Sequence, residues 1–328
     1  MRRRPLPTLD WERLKTHSLY DRPSKVLAAS DLGRPLGPGA TVGQLLEALP
    51  DQLAGAALRR WVDAVCTAYR EDRPVVAALG GHVIKTGCGP YLIDWIRRGV
   101  LTAVCLNGAA AIHDVELALA GRTSEDVAAR LPDGSFGMTR ETADLFARAA
   151  EEAGGAQRGL GAALGELLCR ERCLCPGVSL LRAAAEADIP CTVHVALGTD
   201  IVHMHPCASG ARIGEATLRD FRLACAIVAD LKGGVWMNLG SAVVLPEVFL
   251  KAVSIARNLG YDLEGMTTID LDMIRQYRAR VNVLERHRCR AIAVTGHHEV
   301  ILPLVHAAVV SQLEGVGESA RPAGDPGA

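Results

Sequence analysis

Histidine and aspartate gather in one short stretch, ALGTDIVHMHP, which carries Asp200, His203 and His205. In an extended chain, His203 and His205 point to the same side. Imidazole and carboxylate ligands around an open position suit metal-assisted hydrolysis, with His194, the pair His297-His298 or Glu299 as further donors. The same side chains can instead hydrogen-bond a substrate or a neighbouring subunit. H-x-H is a pattern of low specificity, and no metal is assigned from it. A second stretch, NGAAAIHD, carries Asn107, Gly108, His113 and Asp114. His113 can act as acid or base near neutral pH. Asp114, at the start of a helix-patterned segment, is favoured by the helix dipole whatever else it does. Glu116 and the run Arg122–Asp126 read as a solvated face. A third stretch, GGHVIKTGCGP, contains Gly80, Gly81, Lys85, Thr86, Gly87 and Gly89. Thr86 and the amides of Thr86–Gly89 could cap the next helix and meet an anion there. Lys85 is either a surface charge or an amine nucleophile. The glycines do not spell G-x-G-x-x-G, and neither a P-loop nor a G-x-S-x-G elbow occurs, which disfavours NTPase and serine hydrolase readings.

Each stretch follows an apolar run. Val75–Leu79, Leu101–Leu106, Cys191–Leu197, Gly234–Leu239 and Ala291–Thr295 have the length of buried strands. Helical patterns fall over Tyr91–Arg98, Ile112–Ala120, Thr139–Ala153, Leu160–Cys169, Ser179–Ala187, Ala216–Leu231, Pro246–Leu259 and Ile301–Leu313. Val42–Arg70 reads as two helical pieces broken by Pro50. Pro246 sits where a helix tolerates proline, and Gly260 is a C-cap candidate. This alternation predicts an α/β fold: a Rossmann-like parallel sheet with helices on both faces. Parallel strands all end along one edge. Five polar segments therefore share a rim: Gly80–Gly89, Asn107–Asp114, Gly198–His205, Asn238–Ser241 (with Ser241) and Gly296–Glu299 (with His297). Ligands bind at such edges. The plain alternative is a set of ordinary turns.

The chain has 328 residues and a formal net charge of -1, which argues against an electrostatic nucleic-acid binder. The basic start, Arg2–Arg4, precedes no apolar segment and is not read as a signal peptide. No apolar run reaches the roughly 18 residues of a membrane span. The 10 cysteines fit reduced thiols of a cytoplasmic protein. Cys105 and Cys225 read as small buried hydrophobes. Cys169, Cys173 and Cys175 lack the paired spacing of a zinc site. Residues 1–40 read as an N-terminal arm, with a short strand near Lys25–Ala28, that either wraps a partner or frays. Residues 41–315 read as a single α/β domain and 316–328 as a disordered tail.

The order of segments from about Val75 to Val309 resembles deoxyhypusine synthase. The matching pieces are GGHVIKTG after the first strand, NGAAAIHD after the second, ALGTD, DFR at Asp220–Arg222, and GHHEVILPLV near the end. The resemblance implies an NAD-binding sheet assembled as a homotetramer with active sites shared between subunits. In that family NAD dehydrogenates spermidine, a polyamine. The aminobutyl group then passes to an enzyme lysine and on to a lysine of a translation factor. This chain departs at that lysine: GSAVVLPEVF has Leu245 at the matching position, followed by Pro246-Glu247. Leucine forms no imine, so aminobutyl transfer to make deoxyhypusine is not expected. His113 replaces one acid of the family's acidic pair. The family's segment that helps hold NAD and substrate is not recognisable in Asp262–Arg278, and its final aspartate falls near His297.

The resulting expectation is an NAD-dependent transferase or oxidoreductase acting on a small amine or amino-group substrate. His113, His203 or His205 would move protons, Asp200 would hold an ammonium or orient a histidine, and Lys85 would be the remaining lysine able to form an imine. Gly81, Thr86, Gly87, Asn107, Gly108, Asp114, Ser241 and His297 would border the cofactor. Two alternatives stay open: a metal-dependent hydrolase or lyase using Asp200, His203, His205 and His297, and a non-catalytic scaffold or regulatory binding protein.

Overall fold

The computed structural model describes residues 7–319. Two helices, α1 (Val42–Ala48) and α2 (Leu53–Arg70), precede β1 (Val75–Leu79), α3 (Gly81–Lys85), α4 (Gly89–Arg97), β2 (Ala103–Asn107) and α5 (Gly108–Ala120). Then come α6 (Val127–Arg130), α7 (Arg140–Ala156), α8 (Leu160–Arg170), α9 (Leu180–Glu186) and β3 (Cys191–His194). The chain continues through α10 (Gly210–Ala229), β4 (Val235–Leu239), α11 (Val244–Asn258), β5 (Thr267–Asp272), α12 (Tyr277–Ala279), β6 (Arg290–Thr295) and α13 (His298–Ser319). All strand pairings are parallel, and the six-stranded sheet runs β3-β2-β1-β4-β5-β6. The α/β class is therefore as expected.

β1 is a continuous apolar run, buried at every position, because helices cover both faces of the sheet there. Val75, Ala77, Leu79, Met237 and Leu239 join one buried cluster, where Trp61 of α2 donates Nε1 to the sulfur of Met237 at 3.3 Å. Val76, Ala78 and Trp236 face the opposite cluster with Leu245 and Phe249 of α11. There Trp236 stacks on Phe249 at 4.6 Å between centroids. Full burial of a side chain such as Leu245 contributes about 2 kcal/mol.

Several expectations need correction. β5 was missing from the sequence reading, because TTIDLD alternates polar and apolar residues and lies in the stretch read as unrecognisable. All six of its residues are buried. The glycine-lined turn after β1 is a short helix, α3, and NGAAA is the first turn of α5 rather than a loop. The segment after His194 leaves the strand at once. No strand forms near Lys25–Ala28; Leu27 instead donates its amide to Asp31 Oδ2 at 2.8 Å and closes a turn. The arm from residue 7 is mostly exposed, including Trp11 and Tyr20. Helix α13 continues past Leu313 to Ser319. Residues 320–328 and Arg2–Arg4 lie outside the described residues. Among the described residues no helix is long and apolar enough to cross a membrane.

Candidate functional site

The strand order puts β1 beside β4, with the chain winding outward in opposite directions from that pair. Such a reversal is the point where doubly wound sheets bind ligands, and this order is that of dinucleotide-binding Rossmann sheets. At the carboxyl ends of β1 and β4 the two backbones nearly touch. A Cβ on Gly80 would fall 1.9 Å from the carbonyl oxygen of Gly240, so only glycine fits there. Gly240 has φ +65, and a Cβ on it would press on Nε2 of His298 at 2.9 Å. Backbone bonds tie these ends together: Gly80 N donates to Leu239 O, Gly240 N to Leu271 O and Gly296 N to Asp272 O.

Contacts extend the rim toward β2 and β3. Asn107 caps α5 by accepting from the amide of Ala110 at 2.8 Å. A Cβ on Gly108 would meet Asp200 Oδ2 at 1.9 Å, so the Asp200 carboxylate lies directly on the first turn of α5. That turn, where sequence reasoning allowed a cofactor, is covered by the protein's own anion. Burial pushes the Asp200 carboxyl up, and its Oδ2 has no hydrogen-bond partner among the described residues. Gly81 lies against Ala109 and His113: a Cβ there would be 3.1 Å from His113 Cδ2.

Half-buried His113 pairs through Nδ1 with Thr123 Oγ1 at 2.7 Å. Burial, and to a lesser degree the charge of Lys85, lowers its pKa to about 4, so the ring is neutral near pH 7. Lys85 is exposed at the end of α3 and near enough to His113 for that influence.

The other candidate residues sort themselves by partner. His203 and His205 do not lie on one side of an extended chain, because Ile201–Met204 forms a single 3-10 turn. His203 Nδ1 accepts from the amides of Gly198 and Asp200, both at 3.3 Å. His205 pairs through Nε2 with the carbonyl of Gly137 at 2.9 Å. His194 is buried beside Thr192 Oγ1 at 2.9 Å, and burial lowers its pKa to about 4. Among the described residues no three His, Cys, Asp or Glu side chains are grouped to hold a metal ion.

Asp114 is fully buried and faces away from the rim. Its carboxylate accepts from Ser179 Oγ at 2.6 Å and from the amides of Leu180 and Leu181, holding the start of α9. Thr86 does not cap α4: its hydroxyl turns back to the carbonyls of His82 and Val83. The amides of Thr86, Gly87 and Cys88 are likewise engaged by α3 carbonyls. Gly87 is exposed with φ +78. Ser241 is buried and accepts from the amide of Leu245 at 3.2 Å, in the first turn of α11. His297 is exposed, whereas its neighbour His298 is fully buried.

Sequence reasoning passed over a buried polar group on the β4–β6 side. Asn238 donates Nδ2 to Asp270 Oδ1 at 2.8 Å and to the carbonyl of Ser241 at 3.0 Å. Burial raises the Asp270 carboxyl to about 6. Asn238 Oδ1 and His298 Nδ1 are buried without partners among the described residues. His298 meets His82 edge-on at 5.4 Å between ring centroids. The available signal was the alternation Thr268-Asp270-Asp272, which places three polar residues on one face of a strand.

Three solved structures set this fold in context. A complex of AgrE with ornithine and NAD+ matches at TM-score 0.53, with 13% identity over 80% of this chain and 33% of that one. Unliganded AgrE matches at TM-score 0.52, with 15% identity over 80% and 33%. A protein of Entamoeba histolytica described as a deoxyhypusine synthase matches at TM-score 0.49, with 10% identity over 85% of this chain and 96% of that one. The chain thus spans about a third of the length of the AgrE chains it matches. No protein-family model and no curated protein matches the sequence. At these identities the likeness to AgrE is one of fold: a parallel α/β sheet with helices on both faces.

Proposed function

We propose that the protein is an NAD-dependent enzyme acting on a small amine or amino-group substrate at the rim between β1 and β4. One observation carries this reading: the sheet reverses its winding between β1 and β4, the point at which doubly wound sheets bind ligands. Support comes also from AgrE, a fold neighbour whose complex holds ornithine and NAD+. Gly81 and the ends of β1 and β4 would border the dinucleotide, with the unpartnered atoms of Asn238 and His298 close by. Bound NAD would supply a hydride acceptor. Neutral His113 would accept a proton at the rim, and Asp200 would face an ammonium group. Deoxyhypusine would not form, because Leu245 is fully buried in the first turn of α11 and cannot carry an aminobutyl group. Exposed apolar side chains of the arm suit packing on further copies of the chain, a tetramer in this reading. The thiols suit the cytoplasm.

Calorimetric titration with NAD tests the proposal. Saturable binding is expected, weakened at least about tenfold in Gly81→Val, a loss of 1.4 kcal/mol. No heat of binding to the native protein, together with stoichiometric zinc or manganese in elemental analysis, would overturn it.

A further inference from the structure

We propose that Thr123 and Glu116 hold His113 as its Nδ1–H tautomer and carry protons between the rim and a cavity beside the C-terminal end of α5. The role given to His113 at the rim rests on the functional reading above; the relay itself rests on geometry. Thr123 Oγ1 donates its single proton to Glu116 Oε2 at 2.5 Å, a length typical of a hydroxyl facing a carboxylate. Its oxygen can then only accept from His113 at 2.7 Å, which places the ring proton on Nδ1. The opposite edge of the ring places Cδ2 against Gly81 at the rim, and with the proton on Nδ1 the neighbouring Nε2 keeps its lone pair. Thr142, itself buried, donates to Glu116 Oε1 at 3.3 Å and steadies the far end of the chain.

Glu116 is half-buried, while Arg122 and the residues from Ser124 to Asp126 are exposed as expected. Glu116 lines a cavity of ≈ 950 Å³ together with Thr123, Thr142, Arg122, Arg148 and Glu171. Arg148 is already paired with Glu171 at 2.7 Å, which leaves the Glu116 carboxylate to Thr123 and Thr142.

The transfer balances without any redox partner. A proton taken from the rim forms the Nε2–H bond. The Nδ1 proton passes to the Thr123 oxygen as the Thr123 proton passes to Glu116 Oε2. Glu116 then releases a proton to water in the cavity, and the ring is left neutral as the Nε2–H tautomer. The reverse sequence returns a proton to the rim. Such a route matters because burial and Lys85 make the imidazolium a costly state near neutral pH. Handing the second proton on avoids it. Thr123 and Glu116 are positioning residues; only His113 would touch the reacting group.

Long-range 15N–1H correlation spectra of the full chain, labelled at histidine, read the tautomer directly, with His113→Asn assigning the signal. In the native protein His113 Nδ1 should lie at the protonated end of the imidazole 15N range and Nε2 at the unprotonated end. Thr123→Ser should keep that pattern. Thr123→Val and Glu116→Ala should lose it, with the two shifts moving together or exchanging places. A native His113 with averaged shifts, or a pattern unmoved in Thr123→Val, would overturn the relay. NAD titration of the same variants separates the two proposals. Binding that persists while the tautomer pattern fails removes the relay alone, and a locked tautomer in a protein that ignores NAD removes the cofactor reading alone.

Discussion

Two pairs of buried aspartates divide the sheet. Asp114 and Asp220 belong to the β1–β3 side, Asp270 and Asp272 to β5. In the first pair, backbone amides take the carboxylate. Asp114 holds the start of α9, 65 residues further along, and Asp220 Oδ2 accepts from Gly161 at 2.9 Å and Val193 at 2.8 Å, joining α8 to β3. In the second pair the partners are a side chain, Asn238 on the neighbouring strand, and the adjacent amide of Met273. Close to them lie the unpartnered atoms of Asn238 and His298. Burial alone therefore says little about what a carboxylate does. The first pair ties the starts of α8 and α9 to the rest of the fold; the second sits beside the unpartnered atoms of Asn238 and His298 at the rim.

The largest effect should come from Asp220→Ala. It strands two amides, each costing about 1–3 kcal/mol when buried unpaired, so urea unfolding should lose about 4 kcal/mol. Asp270→Ala removes one side-chain bond and should lose about 1 kcal/mol. Equal losses would erase the contrast between the pairs.

A smaller effect is expected from Gly108→Ala, whose methyl must displace the Asp200 carboxylate from α5, costing about 2 kcal/mol. An unchanged urea midpoint would show that Asp200 moves freely.

The pH dependence sharpens the same contrast. Burial raises Asp220 to about 7 and Asp114 to about 6. A folded-state value above the unfolded one, about 3.9, means the native state binds more protons. The stability these groups contribute is therefore complete below about pH 4 and is lost as pH rises toward 7. Asp220→Asn should flatten that decline in urea midpoints; an unchanged slope would mean that the backbone bonds already hold Asp220 as carboxylate.

The smallest effect belongs to Thr86→Ala, about 0.5 kcal/mol, since its hydroxyl bonds back to carbonyls of its own helix and to the nearby Cys88 thiol. A marked loss of NAD binding in that variant would return Thr86 to the site.

Local pattern was enough for much of the fold. Val75–Leu79 is a strand because five consecutive apolar residues can be buried on both faces only in a covered sheet. Alternating strands and helices required parallel pairing, so the rim was legible before any coordinate. Where pattern and burial part company, reading failed. Thr267–Asp272 looks half-exposed yet is buried throughout, because its polar face meets Asn238 rather than water.

The amino-acid sequence by itself settled which segments are strands at β1 to β4 and β6, and that their ends share one edge, since periodicity and turn chemistry act over a few residues. Only the tertiary structure decided that β1 lies beside β4, that Asp114 serves α9, that Asp200 covers Gly108, and that His113 reaches Glu116 through Thr123. Those are pairings between side chains and distant backbone or loop atoms. They are chosen when the whole chain packs, and no short window of residues encodes them.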